Sequence, residues 1–166
     1  LGLNADILIT DTHGAVAGPQ YLATVDFVSV GAGDLDAGSA LITLTAGTFS
    51  TGDGGDMLSP VHVDSGATLV GTGTVQGDVA GTGTIAPGPA RGILTITGDL
   101  ELAGILTFDL QPPHHTPGAD FDQIIVGGIV DLGDATFSFA GPGGPSVESE
   151  ILTLIRNDSA AATVAS

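Results

Sequence analysis

Glycine and proline punctuate this chain too densely for helices of ordinary length. Its 166 residues include 27 Gly and 9 Pro, and between residues 30 and 145 most windows meet a chain-breaker before a typical helix could complete its turns. The stretches between breakers are short, β-branched and often alternating. They include "ADILIT", "ATVDFVSV", "ALITLTAGTF", "PVHV", "ATLVGTGTV", "ILTITG", "LELAG", "ILTFDL", "FDQIIV", "IVDLG", "ATFSFA" and "EILTLI". The pattern predicts an all-β chain of about a dozen strands, each of roughly three to eight residues, joined by turns of Gly, Asp and Pro.

Some of these phrases recur. Gly71-Thr72-Gly73-Thr74-Val75 is followed by Gly81-Thr82-Gly83-Thr84-Ile85, and Ile-Leu-Thr opens at Ile93, Ile105 and Ile151, with Leu41-Ile42-Thr43 as a variant. A short strand and a tight corner repeated many times predict a parallel β-solenoid, in which each coil stacks on the one before it. Glycine supplies the corners, while Thr, Val and Ile supply the pleated strands. An aromatic content of 4% suits a narrow core of stacked aliphatic side chains. On this reading the two Gly-Thr phrases occupy successive faces of a coil. The rival is a β-sandwich, which short strands with turns every 8 to 12 residues would also suggest, but dense glycine within strands argues against it.

Charge narrows the function classes. Two basic residues, Arg91 and Arg156, stand against nineteen acidic ones, for a net charge of −17. Such a surface repels nucleic acid and anionic membranes, whereas it suits salty or calcium-rich surroundings outside a cell. No apolar run approaches the roughly 18 residues of a transmembrane helix. Cysteine is absent, which removes disulfides and thiolate chemistry. The opening "LGLNADILIT" has neither an initiator Met nor a signal-peptide pattern, so the chain reads as an excerpt of a longer one.

The run "SGATLVGTGTVQGDVAGTGTIAPGPARGILTITGDLELAGILTFDL", followed by "TPGADFDQIIVGGIVDLGDATFSF", resembles the β-strand repeat region of bacterial autotransporter passenger domains and related large cell-surface proteins. In that family G-x-L-x-G-x-G-T-V leads into G-x-I-x-P-G, then G-x-L-x-I-x-G-D-L-x-L, then a strand ending near Y-D-Q-L-x-V-x-G. The counterparts here are Gly71 to Val75, Gly83 to Gly88, Gly92 to Leu102 and Phe121 to Gly127. The resemblance covers roughly residues 64 to 140. It implies a right-handed parallel β-helix displayed on a bacterial surface or released, and it implies no particular activity.

Several phrases raise chemistry. Asp11-Thr12-His13-Gly14 with Gly52-Asp53-Gly54-Gly55-Asp56 imitates the metal-binding phrases of calcineurin-like phosphoesterases, but that family's later Asn-His and His-x-His phrases are missing. His114-His115, in a Pro-rich loop ahead of Asp120 and Asp122, could hold a transition metal only if the loop is irregular enough for both rings to converge. Calcium fits the available hard oxygens better. Its candidate ligands are three pairs in Gly-rich turns, Asp34 with Asp36, Asp53 with Asp56 and Asp120 with Asp122. The competing reading of these aspartates is as turn formers whose side chains bond the backbone. Asp109 and Asp131 could flank a groove for a neutral glycan in a β-helical glycan-cleaving enzyme.

The sequence therefore predicts one β-solenoid segment over residues 1–166: less regular coils in 1–60, family-like coils in 61–140, and a loop and final strand in 141–166. Its expected function is that of a non-catalytic structural or adhesive shaft, extracellular or on the bacterial surface. The expected partners are neighbouring coils, end-to-end copies, or a surface glycan or protein. No cofactor is expected, with calcium as the candidate ion for the Asp pairs, and a calcium- or glycan-binding module is the second function class.

Overall fold

In a computed structural model of the protein, the described residues are 20–21, 27–29, 41–51, 54–141 and 151–159. They contain strands and turns and no helix. The strands are β1 (Gln20–Tyr21), β2 (Phe27–Ser29), β3 (Ile42–Ser50), β4 (Val61–Val70), β5 (Thr74–Val75), β6 (Val79–Gly81) and β7 (Thr84–Ala86). They continue with β8 (Ile93–Ile96), β9 (Leu100–Leu102), β10 (Ile105–Asp109), β11 (Gln123–Val126), β12 (Val130–Asp131), β13 (Thr136–Ala140) and β14 (Ile155–Asn157).

Every ladder between these strands is parallel. From β5 onward each strand pairs with the strand three places later, which builds three ladders. The first runs β4–β6–β9–β12, the second β4–β7–β10–β13, and the third β5–β8–β11–β14. The long β4 serves two of them: Val61–Val63 faces β6 and Thr68–Val70 faces β7. The ten-stranded sheet therefore curls about β4, and the four-stranded sheet is separate from it. An antiparallel Greek-key sandwich is not what these residues form.

Alternation explains which side chains turn inward. In β8, Leu94 and Ile96 are fully buried while Ile93 and Thr95 are half-buried. Register then stacks like on like. Val61 pairs with Val79 and Val79 with Leu100, while Leu69, Ile85 and Leu106 form a second column. Met57, Val75, Ile96 and Val126 form a third. All three columns belong to one core cluster. Parallel sheets elsewhere need helices over their faces, whereas here the three ladders cover one another. Each fully buried aliphatic contributes about 1.5–3 kcal/mol relative to exposure.

Two details depart from the sequence reading. "PVHV" and "ATLV" are one strand, because β4 continues through Asp64-Ser65-Gly66 with a register shift opposite Leu44 and Ala46. The two Gly-Thr phrases feed β5 and β7, with β6 between them, so their copies do not lie on successive faces. Their glycines are needed for close approach as well as for corners. Gly81, at φ +140°, would place a Cβ 2.1 Å from the Val63 carbonyl oxygen.

Candidate functional site

The Asp-rich corners are where the sequence expects chemistry, and their construction is repetitive. Gly77-Asp78, Gly98-Asp99 and Gly128-Ile129 stack at one corner. The Gly98 N–H donates to Gly77 O at 3.0 Å and the Gly128 N–H to Gly98 O at 2.9 Å. Asp78 Oδ1 accepts the Asp99 N–H at 2.9 Å, and Asp99 Oδ1 accepts the Ile129 N–H at 2.7 Å. The order Gly then Asp follows from space. A Cβ on Gly98 would meet Asp78 Oδ1 at 2.2 Å, and one on Gly128 would meet Asp99 Oδ1 at 2.1 Å. Asp56 acts in the same way on a different corner, where its Oδ1 accepts the Thr74 N–H at 2.8 Å.

The loop between β10 and β11 uses two more aspartates, Asp120 and Asp122. Asp120 Oδ2 accepts the N–H groups of His115 and Thr116, each at 3.0 Å. Asp122 is buried, and each of its oxygens accepts a backbone N–H at 2.7 Å: Oδ1 from Gly92 and Oδ2 from Asp109. Burial pushes the Asp122 carboxyl from 3.8 up to about 7. Its two N–H partners oppose that rise, the Asp109 carboxylate adds to it, and the Arg91 guanidinium opposes it. Arg91 Nε donates to Ala119 O at 2.6 Å.

Of the calcium candidates, Asp34, Asp36 and Asp53 lie outside the described residues, as do Asp11 and His13 of the phosphoesterase phrase. Asp56, Asp120 and Asp122 form no common ligand group; each accepts backbone N–H groups, Asp120 within its own turn and Asp56 and Asp122 from neighbouring segments. No group of three or more His, Asp or Glu side chains that could hold a metal occurs among the described residues. The two histidines of the Pro-rich loop separate, with His114 buried and His115 exposed. His114 takes the left-handed conformation at φ +60°, an irregularity the adjacent prolines do not by themselves reveal. Asp109 and Asp131 sit on different ladders, beside Ala140 and Glu101 respectively.

Among the described residues, Arg156 pairs with Asp158 at 2.6 Å on the surface, and the His62 ring Nε2 lies 3.3 Å from an Asp64 carboxylate oxygen. Exposed pairs of this kind contribute little to stability. Sequence reasoning missed the corner roles of Asp78 and Asp99, although the phrases "QGDVAG" and "TGDLELAG" carried the signal: Gly-Asp directly before an apolar strand start. It also grouped Asp120 with Asp122 as one pair, where the fold gives them separate tasks. The arrangement as a whole supplies acceptors to backbone donors at corners, the task that buried or crowded N–H groups require.

No protein-family model matches the chain, and no match was found among curated proteins or solved structures.

Proposed function

We propose that the chain is a segment of a right-handed parallel β-helix that serves as a non-catalytic structural or adhesive shaft of a secreted or surface-displayed bacterial protein. The observation that carries this reading is the parallel pairing, from β5 onward, of each strand with the strand three places on, through three ladders whose buried side chains form one core cluster. Such stacking transmits rigidity along an axis and is extensible by whole rounds of chain. The right hand follows the preference of parallel crossover connections. The use of corner carboxylates on backbone N–H groups supports a structural role for the aspartates, and the net charge of −17 supports solubility and spacing outside a cell. On this reading the open edges of the last rounds are covered by further rounds of the same chain or end to end by a second copy.

Excision of one round tests the proposal. Removing residues 79–99 joins Asp78 to Leu100, the register partner of Val79. A shaft should still fold with a β-type circular dichroism spectrum and one cooperative transition, and should keep whatever surface attachment the full chain shows in an adhesion assay. A folded variant that has lost attachment would place a specific site in that round and sink the shaft reading.

A further inference from the structure

β13 ends its ladder: all five of its residues pair in register with β10, and among the described residues no strand pairs with its other edge. The Thr136 N–H donates to Gly104 O at 2.8 Å and Ala140 O accepts the Leu110 N–H at 2.9 Å, so the even-numbered positions direct their backbone groups to the β10 side. Those groups alternate sides along a strand, which points the N–H and C=O of Phe137 and Phe139 to the free edge. The side chains of Phe137 and Phe139 continue the inward columns of Leu106 and Phe108. Phe108 is fully buried, with its ring centroid 6.1 Å from that of Phe137 and 6.5 Å from that of Phe139, yet these two rings remain 42% and 50% exposed. The end strands of the other two ladders carry charge, Asp131 in β12 and Arg156 in β14. Thr136–Ala140 carries no charge and no Pro, in a chain whose net charge is −17. Edge charges block strand addition, so β13 is the edge left open to it.

We propose that β13 is a self-association edge: it pairs antiparallel with β13 of a second copy about a two-fold axis through Ser138, joining two molecules by these ends. The strand is self-complementary in that register. Phe137 falls opposite the partner's Phe139 and Phe139 opposite the partner's Phe137, the two positions whose backbone groups face outward, so each free N–H meets a C=O. The four rings then form cross-strand aromatic pairs on the inner face, where they extend the cluster begun by Phe108. No like charges meet across the two strands, which removes the repulsion that the acidic surface imposes elsewhere. Ser138 faces its own mate as a pair without hydrogen bonds between them, about 4.5 Å apart at Cα. The inference rests on the shaft reading and names what closes one of its ends. One strand pair is a small contact, so the association should depend on concentration.

Light scattering over a concentration series and thiol cross-linking test it together. The wild-type mass should rise from that of one chain towards that of two, and Phe139→Glu should hold it at one. The chain has no cysteine, so single introduced thiols report the register directly. Ser138→Cys should give a disulfide-linked dimer under mild oxidation, since its Cα separation suits the bond. Thr136→Cys, exposed on the same strand, lies about 14 Å from its own mate in this register and should stay monomeric, whereas mixing it with Ala140→Cys should link the two variants. A wild type that stays monomeric at every concentration would overturn the pairing, as would Thr136→Cys cross-linking as readily as Ser138→Cys. Another segment of the same chain on the β13 edge would appear as a monomer whose Ser138→Cys thiol does not cross-link, and this too would overturn it. Such a monomer, if it still tolerates excision of one round, leaves the shaft reading standing, so the two failures are separable. If Phe139→Glu does not fold, the cross-linking pattern decides the matter.

Discussion

At the scale of single residues, the corner built from Gly98 and Asp78 separates two kinds of glycine. A Cβ on Gly98 would collide with Asp78 Oδ1 and with the Gly77 backbone carbon at 2.6 Å, and the backbone cannot move aside without breaking the Gly98 to Gly77 hydrogen bond. Gly98→Ala should therefore cost about 2–3 kcal/mol in urea unfolding. Gly133 has φ +42° and nothing within 4 Å, so Gly133→Ala should cost only about 1 kcal/mol, the strain of a left-handed residue. Similar losses at both positions would refute the crowding argument. The aspartates give a parallel contrast. If Asp78 acts as a hydrogen-bond acceptor, Asp78→Asn should stay near wild type and Asp78→Ala should cost about 0.5–1.5 kcal/mol. If Asp78 were a calcium ligand, both changes would be harmful, and a chelator would lower the unfolding midpoint of the wild type.

At the scale of strands, inward and outward positions should respond differently along one element. Leu94→Ala in β8 should destabilise by about 2–5 kcal/mol, because its fully buried side chain stacks over Ile124 in register. Thr95→Ala, one residue on and half-exposed, should stay within about 0.5 kcal/mol. Equal effects would mean that the strand is not half-buried as described. Much of this was legible in the sequence, since β8 to β11 follow "ILTITG", "LELAG", "ILTFDL" and "FDQIIV" almost residue for residue. Alternation is a local property, and a period-two pattern survives whatever the strand pairs with. Register is not local, which is why the bend of β4 through Asp64-Ser65-Gly66 and the faces taken by the Gly-Thr phrases were misread. The last strand, β14, begins at Ile155, where "EILTLI" ends, because its register follows Ile124–Val126 and not its own apolar run. The Asp122 bridge was illegible for the same reason: Gly92 lies 30 residues away in sequence, and only the stacking of rounds brings the two together.

For the whole molecule, acid should stabilise the fold. Asp122 titrates at about 7 in the folded state against 3.8 ordinarily, so its favourable contribution is complete below about 3.8 and is lost as pH rises through about 7. The net charge of −17 acts in the same direction, since neutralising carboxylates relieves self-repulsion. The denaturant midpoint should therefore rise from pH 8 to pH 5, and Asp122→Asn should reduce that slope; a midpoint that falls over this range would contradict the sign. The central claim is that the chain grows by stacking rounds along one axis. Each added round should lengthen the stack by roughly 5 Å, the spacing of neighbouring strands, so a variant with added rounds reads the stacking directly. Small-angle scattering from a variant carrying two extra copies of residues 79–99 between Asp99 and Leu100 is the direct measurement. Stacked rounds predict a particle about 10 Å longer with an unchanged cross-sectional radius, whereas a radius of gyration that grows in all directions as a compact globule's does would contradict the account.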